Sequence, residues 1–157
     1  MKIRKLLLAL VLTALCLLMT SCGDKQEELT LTCAEIADKV QAAVDFTELT
    51  ATNESYLEKY LWIDAVDLDD WVLLRDATRA TPEMILVVKV KEGADMAAIR
   101  KAAEDYHSEQ ILAYRDYQPA QMPKLEDAKV MENGRYIVLI VSPDAAKVNA
   151  VLGNGWK

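Results

Sequence analysis

Cys22 is the side chain whose neighbours prepare it most plainly for chemistry. It follows the small residues Thr20 and Ser21 at the end of an apolar run from Leu6 to Leu18, and Lys2, Arg4 and Lys5 precede that run. A charged start, a hydrophobic stretch and small residues before a fixed position make up an export signal. A cysteine at that position matches a bacterial lipobox, in which the thiol is acylated and becomes the first residue of the mature chain. The apolar run would form roughly 20 Å of helix at about 1.5 Å per residue, short of the ~30 Å hydrocarbon core that a permanent span must cross. The expectation is a signal peptide over residues 1–21 and a lipid anchor on Cys22. The alternative, which Met19 keeps open, is an ordinary secretory signal cleaved elsewhere or an N-terminal helix that stays uncleaved.

Other reactive side chains are few. Cys16 leaves with the signal, so Cys33 remains without a disulfide partner, and His107 is the only histidine. A Cys33–His107 dyad would need the fold to bring the two together. The stretch Glu104-Asp-Tyr-His-Ser-Glu109 instead places His107 on the wet side of a helix, and a lone cysteine packs well as a small hydrophobe. Asp64, Asp67, Asp69 and Asp70 crowd one stretch and have the hard oxygens that suit Ca²⁺. They lack the alternating ligands and the central glycine of a helix–loop–helix calcium site, so a solvated acidic loop is expected. Tyr106, Tyr114 and Tyr117, with Trp62, Trp71 and Trp156, could line a groove for a ligand, but aromatics at helical spacing are more often core, and core is the expected reading. Nucleophile elbows, paired-histidine zinc motifs and phosphate-cradling glycine loops are absent from the sequence. No catalytic, cofactor-binding or metal-ligating residue is assigned.

Composition narrows the partners. Removing the first 21 of 157 residues leaves 136, enough for one domain with a real core. Loss of Lys2, Arg4 and Lys5 takes the 18 basic residues to 15 against 25 acidic, a formal charge of −10. Nucleic acid is therefore not an expected partner. An anionic bilayer would repel such a domain, so the lipid on Cys22 must do the holding.

The elements that would position these residues follow in order. Residues 22–32 carry the lipidated cysteine and a polar tether with an r.m.s. reach near 18 Å, and a single domain is expected over residues 33–157. Thr32-Cys-Ala-Glu35 is a capping box before Ile36, Val40 and Val44, so a helix is expected over 33–44. Asn53 can cap a shorter helix carrying Tyr56, Leu57, Tyr60 and Leu61. Asp70–Asp76 and Met84–Lys91 read as a hairpin, and the second run is apolar on both faces, as a central strand must be. A long helix is expected from Asp95 to Tyr117, ended by Pro119. A strand over 127–132, a type I′ turn with Asn133 and Gly134 at its centre, and a strand over 135–142 come next. Ser142 is the expected cap of a last helix closed by Gly153. The fold class is α+β: an α-α-β-β-α-β-β-α chain with a four-stranded antiparallel sheet in order 1-2-4-3.

Several of these segments resemble a known family. Tyr60-Leu-Trp-Ile-Asp64, Glu83-Met-Ile-Leu-Val-Val-Lys-Val-Lys91, Tyr117-Gln-Pro119, and the stretch from Ala128-Lys-Val through Gly134-Arg-Tyr-Ile-Val-Leu-Ile-Val-Ser142 are similar to uncharacterised lipid-anchored bacterial proteins, mainly from Firmicutes, that carry the domain of unknown function DUF4358. The likeness extends over most of residues 34–152. It implies an address at the cell membrane, on the extracytoplasmic face, and no reaction. It assigns no catalytic residue, and Cys33 and His107 fall outside its pattern. The expected function is a non-catalytic binding or scaffolding module of the cell envelope, with an envelope protein or wall polymer as partner. The alternative is a small-ligand or Ca²⁺ receptor, or an enzyme of unrecognised type.

Overall fold

A computed structural model describes residues 29–157. The signal peptide expected over residues 1–21 and the lipidation site Cys22 lie outside the described residues, as does the first part of the tether.

The chain is already docked at Leu29. Leu29 and Leu31 pack against the core, and their carbonyls accept hydrogen bonds from the Tyr136 hydroxyl at 3.2 and 2.6 Å. Residues 29–31, expected in the tether, thus belong to the folded domain. Helix α1 (Cys33–Ala43) starts with the expected capping box: the Glu35 amide donates to Thr32 Oγ1 and the Thr32 amide donates to Glu35 Oε2 at 2.8 Å. Strand β1 (Leu49–Ala51) and helix α2 (Glu54–Leu61), capped by Asn53, follow. A short 3₁₀ turn (Ala65–Asp67) leads into β2 (Leu68–Asp76) and β3 (Met84–Val90). The long helix α3 (Met96–Tyr117) ends where Pro119 requires. Then come a second 3₁₀ turn (Pro119–Gln121), helix α4 (Met122–Asp127), strands β4 (Val130–Asn133) and β5 (Tyr136–Val141), and helix α5 (Ala145–Leu152).

The sheet has five antiparallel strands in order β1-β2-β3-β5-β4, not four. The expected order 1-2-4-3 corresponds to β2-β3-β5-β4, and β1 adds an edge beside β2 through the pairs Leu49–Asp76, Thr50–Arg75 and Ala51–Leu74. Three residues carry no readable alternation, so this strand exists because β2 offers it a ladder. Three further differences are local. A helical turn, α4, fills the connection between the long helix and the next strand, where no element is expected, because Pro123 falls in the first turn, where its missing N–H costs nothing. The β4–β5 turn is centred on Gly134 and Arg135, flanked by the Asn133–Tyr136 pair, and of its residues only Gly134 has positive φ, at 58°. That is the type II′ pattern, one residue along from the expected type I′ register. Asp144, not Ser142, caps α5, accepting from the Lys147 amide at 3.0 Å.

Because β3 and β5 are apolar on both faces, the sheet can be covered twice. Alternation along β3 sends Leu86 and Val88 to one side with α2, α3 and α4, and Ile85 and Val87 to the other with α1 and α5. The outer edge of β4 is covered by the C-terminus, where Lys157 and Glu132 exchange two backbone hydrogen bonds of 2.9 and 3.0 Å.

Candidate functional site

At the end of the sheet where β2 finishes and β3 begins, two carboxylates are buried that the sequence reading did not single out. Asp76 is 5 % exposed and Glu83 2 %. Asp76 Oδ1 accepts from the Thr78 amide and hydroxyl at 2.7 and 2.5 Å, and Oδ2 from the Thr81 amide and hydroxyl at 2.9 and 3.1 Å. Burial alone would push this carboxyl up, but the four donors outweigh it and hold its pKa below the ordinary value. Glu83 Oε1 accepts from Lys124 Nζ at 2.6 Å, while Oε2 takes the Thr47 amide at 2.7 Å and hydroxyl at 3.0 Å. Asp76 has all four acceptor sites filled and Glu83 has both oxygens engaged by three donors, so they shape the 77–82 loop rather than act on a ligand.

That loop forms one wall of a solvent-open cleft of about 720 Å³. The C-terminal half of α3 and the face of α2 form the rest. Five of the chain's six tyrosines meet here: Tyr56, Tyr60, Tyr106, Tyr114 and Tyr117. The Tyr56 and Tyr60 rings lie 4.5 Å apart between centroids. Tyr114 donates its hydroxyl to the carbonyl of Thr81 at 2.8 Å and lies 3.3 Å from that of Arg79, pinning the loop to α3. Burial raises the Tyr106 and Tyr114 hydroxyls above the usual phenol range, with neighbouring Tyr56 adding to the first and Asp76 to the second. They are neutral hydrogen-bonding groups at physiological pH. Tyr117, 78 % exposed, and Tyr60 lie at the rim, and the Lys59 ammonium sits over the Tyr60 ring, 5.1 Å from its centre.

Two arginines complete the lining. The Arg75 guanidinium sits 4.5 Å above the centre of the Tyr56 ring and donates to the Asp76 carbonyl at 3.1 Å. Arg79 is held at φ 61°, a left-handed conformation that a non-glycine residue adopts at a cost. Among the described residues, neither forms an ion pair. The cleft thus offers aromatic faces, hydroxyls, amides and two unmatched cations. It contains no histidine or cysteine.

The residues singled out from sequence are dispersed. Cys33, the first residue of α1, is fully buried, and burial and then the nearby Asp70 charge push its thiol well above the ordinary range. His107 is on α3, against the opposite face of the sheet, with Nε2 2.8 Å from the Leu125 carbonyl. The two cannot form a dyad. Asp64 accepts from the Val66 amide at 2.9 Å, Asp70 from the Cys33 amide at 2.7 Å, and Asp69 pairs with Arg135. No group of three or more metal-ligating side chains occurs among the described residues. Tyr106, Tyr114 and Tyr117 do line the groove they were candidates for, but the tryptophans do not. Trp62 is exposed as the left-handed cap of α2, and Trp71 and Trp156 pack against separate sides of the core. Tyr56 and Tyr60 were legible only as a helix face, and Arg75 and Arg79 had no sequence signal.

The family model described as a domain of unknown function (DUF4358) matches residues 42–142, and the chain belongs to this family. The matched segment contains every residue lining the cleft and leaves α5 and nearly all of α1 outside. No curated protein and no solved structure matches the chain.

Proposed function

We propose that this member of the DUF4358 family is a lipid-tethered, extracytoplasmic binding module whose recognition site is the tyrosine cleft. The observation that carries the reading is convergence: five tyrosines and two arginines without carboxylate partners meet in one cavity, while the buried carboxylates beside them are engaged by three or four structural donors each. Its volume lies within the roughly 300–1,000 Å³ range of small-ligand sites, and a built cleft with converging polar groups favours a ligand receptor over a flat scaffold. No helix of the described residues is long and apolar enough to cross a membrane. Attachment in this reading is by lipid on Cys22.

The point where the chain joins the domain supports a direction for the cleft. The Leu29 and Leu31 carbonyls are bonded to Tyr136 at the start of β5, and the Cys33 amide to Asp70 near the start of β2. The cleft begins at Arg75, roughly 16 Å further along β2 than Asp70 at about 3.3 Å per residue. A short tether ending at the first pole leaves the second facing away from the bilayer, toward wall polymer or an envelope protein.

The test is photo-crosslinking from Tyr117 in the full-length protein in native membranes, with Trp62, equally exposed but outside the cleft lining, as the comparison. Capture from position 117 well above that from position 62 is expected, and equal capture from both would overturn the reading. A tagged fatty acid should label the wild type and not Cys22→Ala; equal labelling of the two would remove the anchor.

A further inference from the structure

The composition of the cleft distinguishes between classes of ligand. None of its eighteen lining residues is Leu, Ile, Val, Phe or Trp. Grooves that take an amphipathic helix or the apolar anchors of a peptide need such side chains, because anchoring there comes from burying hydrocarbon. This lining instead combines phenol rings with threonines, glutamines and guanidinium groups. Phenol rings offer apolar faces with a polar tip, which suits a ligand that is itself apolar on its ring faces and polar around its edge. Sugars have that character.

The cations add a second requirement. Arg75 has part of its donor set used by the Asp76 carbonyl, but Arg79 makes no side-chain hydrogen bond or ion pair among the described residues. The Arg79 backbone is nonetheless fixed at positive φ, with its carbonyl near the Tyr114 hydroxyl. Arg75 and Arg79 both line this one cavity. A planar fork left unmatched in a cleft wall is suited to a carboxylate or phosphate, which it can hold with two parallel hydrogen bonds. Glu109, the exposed acid of the lining, sits on α3 and is suited to accept sugar hydroxyls.

Building on the cleft as a binding site, we propose that it takes a saccharide bearing an acidic group, with Tyr117 against a sugar-ring face and Arg75 and Arg79 on the carboxylate or phosphate. The domain's net negative charge opposes the approach of such a ligand from a distance, but that repulsion is screened beyond a Debye length of about 8 Å at physiological salt. Contacts inside the cleft then decide the affinity.

The experiment is titration of the full-length protein in detergent with four probes: a galacturonic-acid trimer, a sugar 6-phosphate, neutral chitotriose and an acidic hexapeptide. Tighter binding of either acidic sugar than of chitotriose, by about 10-fold, is expected for a charge-assisted pair. The galacturonic-acid and sugar-phosphate arms distinguish carboxylate from phosphate. Arg79→Asn removes the charge with a residue that tolerates positive φ, and should abolish most of that preference while leaving chitotriose binding within about twofold. Tyr117→Ala, at an exposed position that cannot affect the core, should weaken acidic and neutral sugars alike. The proposal is overturned by a preference for the peptide, by equal binding of acidic and neutral sugars, by a preference that survives Arg79→Asn, or by no binding of any sugar. If the sugars fail while crosslinking from position 117 still captures a partner, the cleft remains a binding site and only its ligand class is wrong.

Discussion

Acidic residues gather at both ends of β2, and the two groups have opposite fates. At the tether end, Asp64, Asp67 and Asp69 are exposed and Asp70 is half-buried, and each that has a partner uses a different one: the Val66 amide, Arg135 and the Cys33 amide. At the cleft end, Asp76 and Glu83 are almost wholly buried, and each gathers three or four donors. Proximity in sequence favoured the first group as a site, yet alternation along a strand sends adjacent side chains to opposite faces. Burial collected the second group, because a carboxylate withdrawn from water must find donors or fail to ionise.

The largest effect should come from removing the cation at the cleft end. Lys124→Ala leaves Glu83, 2 % exposed, without its counter-charge. Breaking a buried pair from one side costs about 3–5 kcal/mol, against a total of about 5–15 for a domain. The two remaining Thr47 donors favour the lower part of that range. Urea denaturation should show the midpoint fall with an unchanged slope. A loss below about 1 kcal/mol would mean that the two ends of β2 are energetically alike.

Asp76→Asn comes next, at about 1–3 kcal/mol, because an amide turns its NH₂ toward donors and strands at least one of them. The cost depends on pH. The folded-state pKa of Asp76 lies below the unfolded value near 3.9, so its contribution is complete above about pH 4 and disappears as pH falls through the lower folded value. The stability gap between wild type and variant should be constant from pH 5 to 8 and close in acid. A gap that widens in acid would reverse the assignment.

At the tether end the sensitive point is backbone conformation rather than charge. Gly134 has φ +58°, and a Cβ there would meet nothing within 4 Å, so Gly134→Val costs conformational strain alone, about 1–2 kcal/mol. Gly134→Asn should recover most of it. A melting temperature unchanged within a degree for the valine variant would mean that the turn rearranges freely.

These contrasts mark how far the sequence could be read. Where the chemistry is local it was legible: the Thr32–Glu35 capping box, the ends of α3 at Asp95 and Pro119, and the turn at Gly134 to within one residue. Strands apolar on both faces, β3 and β5, could be placed at the centre because burial of both faces leaves a pattern in one dimension. Strand β1 was not visible, since its three residues become a strand only by pairing with β2. The cleft was half visible. Tyr106, Tyr114 and Tyr117 share helical spacing, but nothing in the sequence says that Tyr56 and Tyr60 lie opposite them, or that Asp76 and Glu83 are buried, because those are consequences of packing between distant segments.

The smallest effect should be at the residues that looked most like a metal site. Asp64, Asp67 and Asp69 are exposed, and the one ion pair among them, between Asp69 and Arg135, has both side chains about a third exposed, at 38 % and 33 %. Surface pairs of this kind contribute about 0–1 kcal/mol. Alanine at any of the three positions should change stability by no more than about 0.5 kcal/mol. Asp70 is the exception, since its carboxylate takes the first amide of α1 at 2.7 Å and its loss should cost about as much as a helix cap, near 1 kcal/mol. Calcium sharpens the point. Ca²⁺ requires six to eight oxygens converging within about 2.6 Å, whereas Asp69 is drawn to Arg135 and Asp70 to the start of α1. Millimolar Ca²⁺ should therefore leave the melting temperature within a degree of its value in chelator. A rise of several degrees, abolished by Asp64→Ala or Asp67→Ala, would show that binding gathers the aspartates, and the tether end would then be a site in its own right.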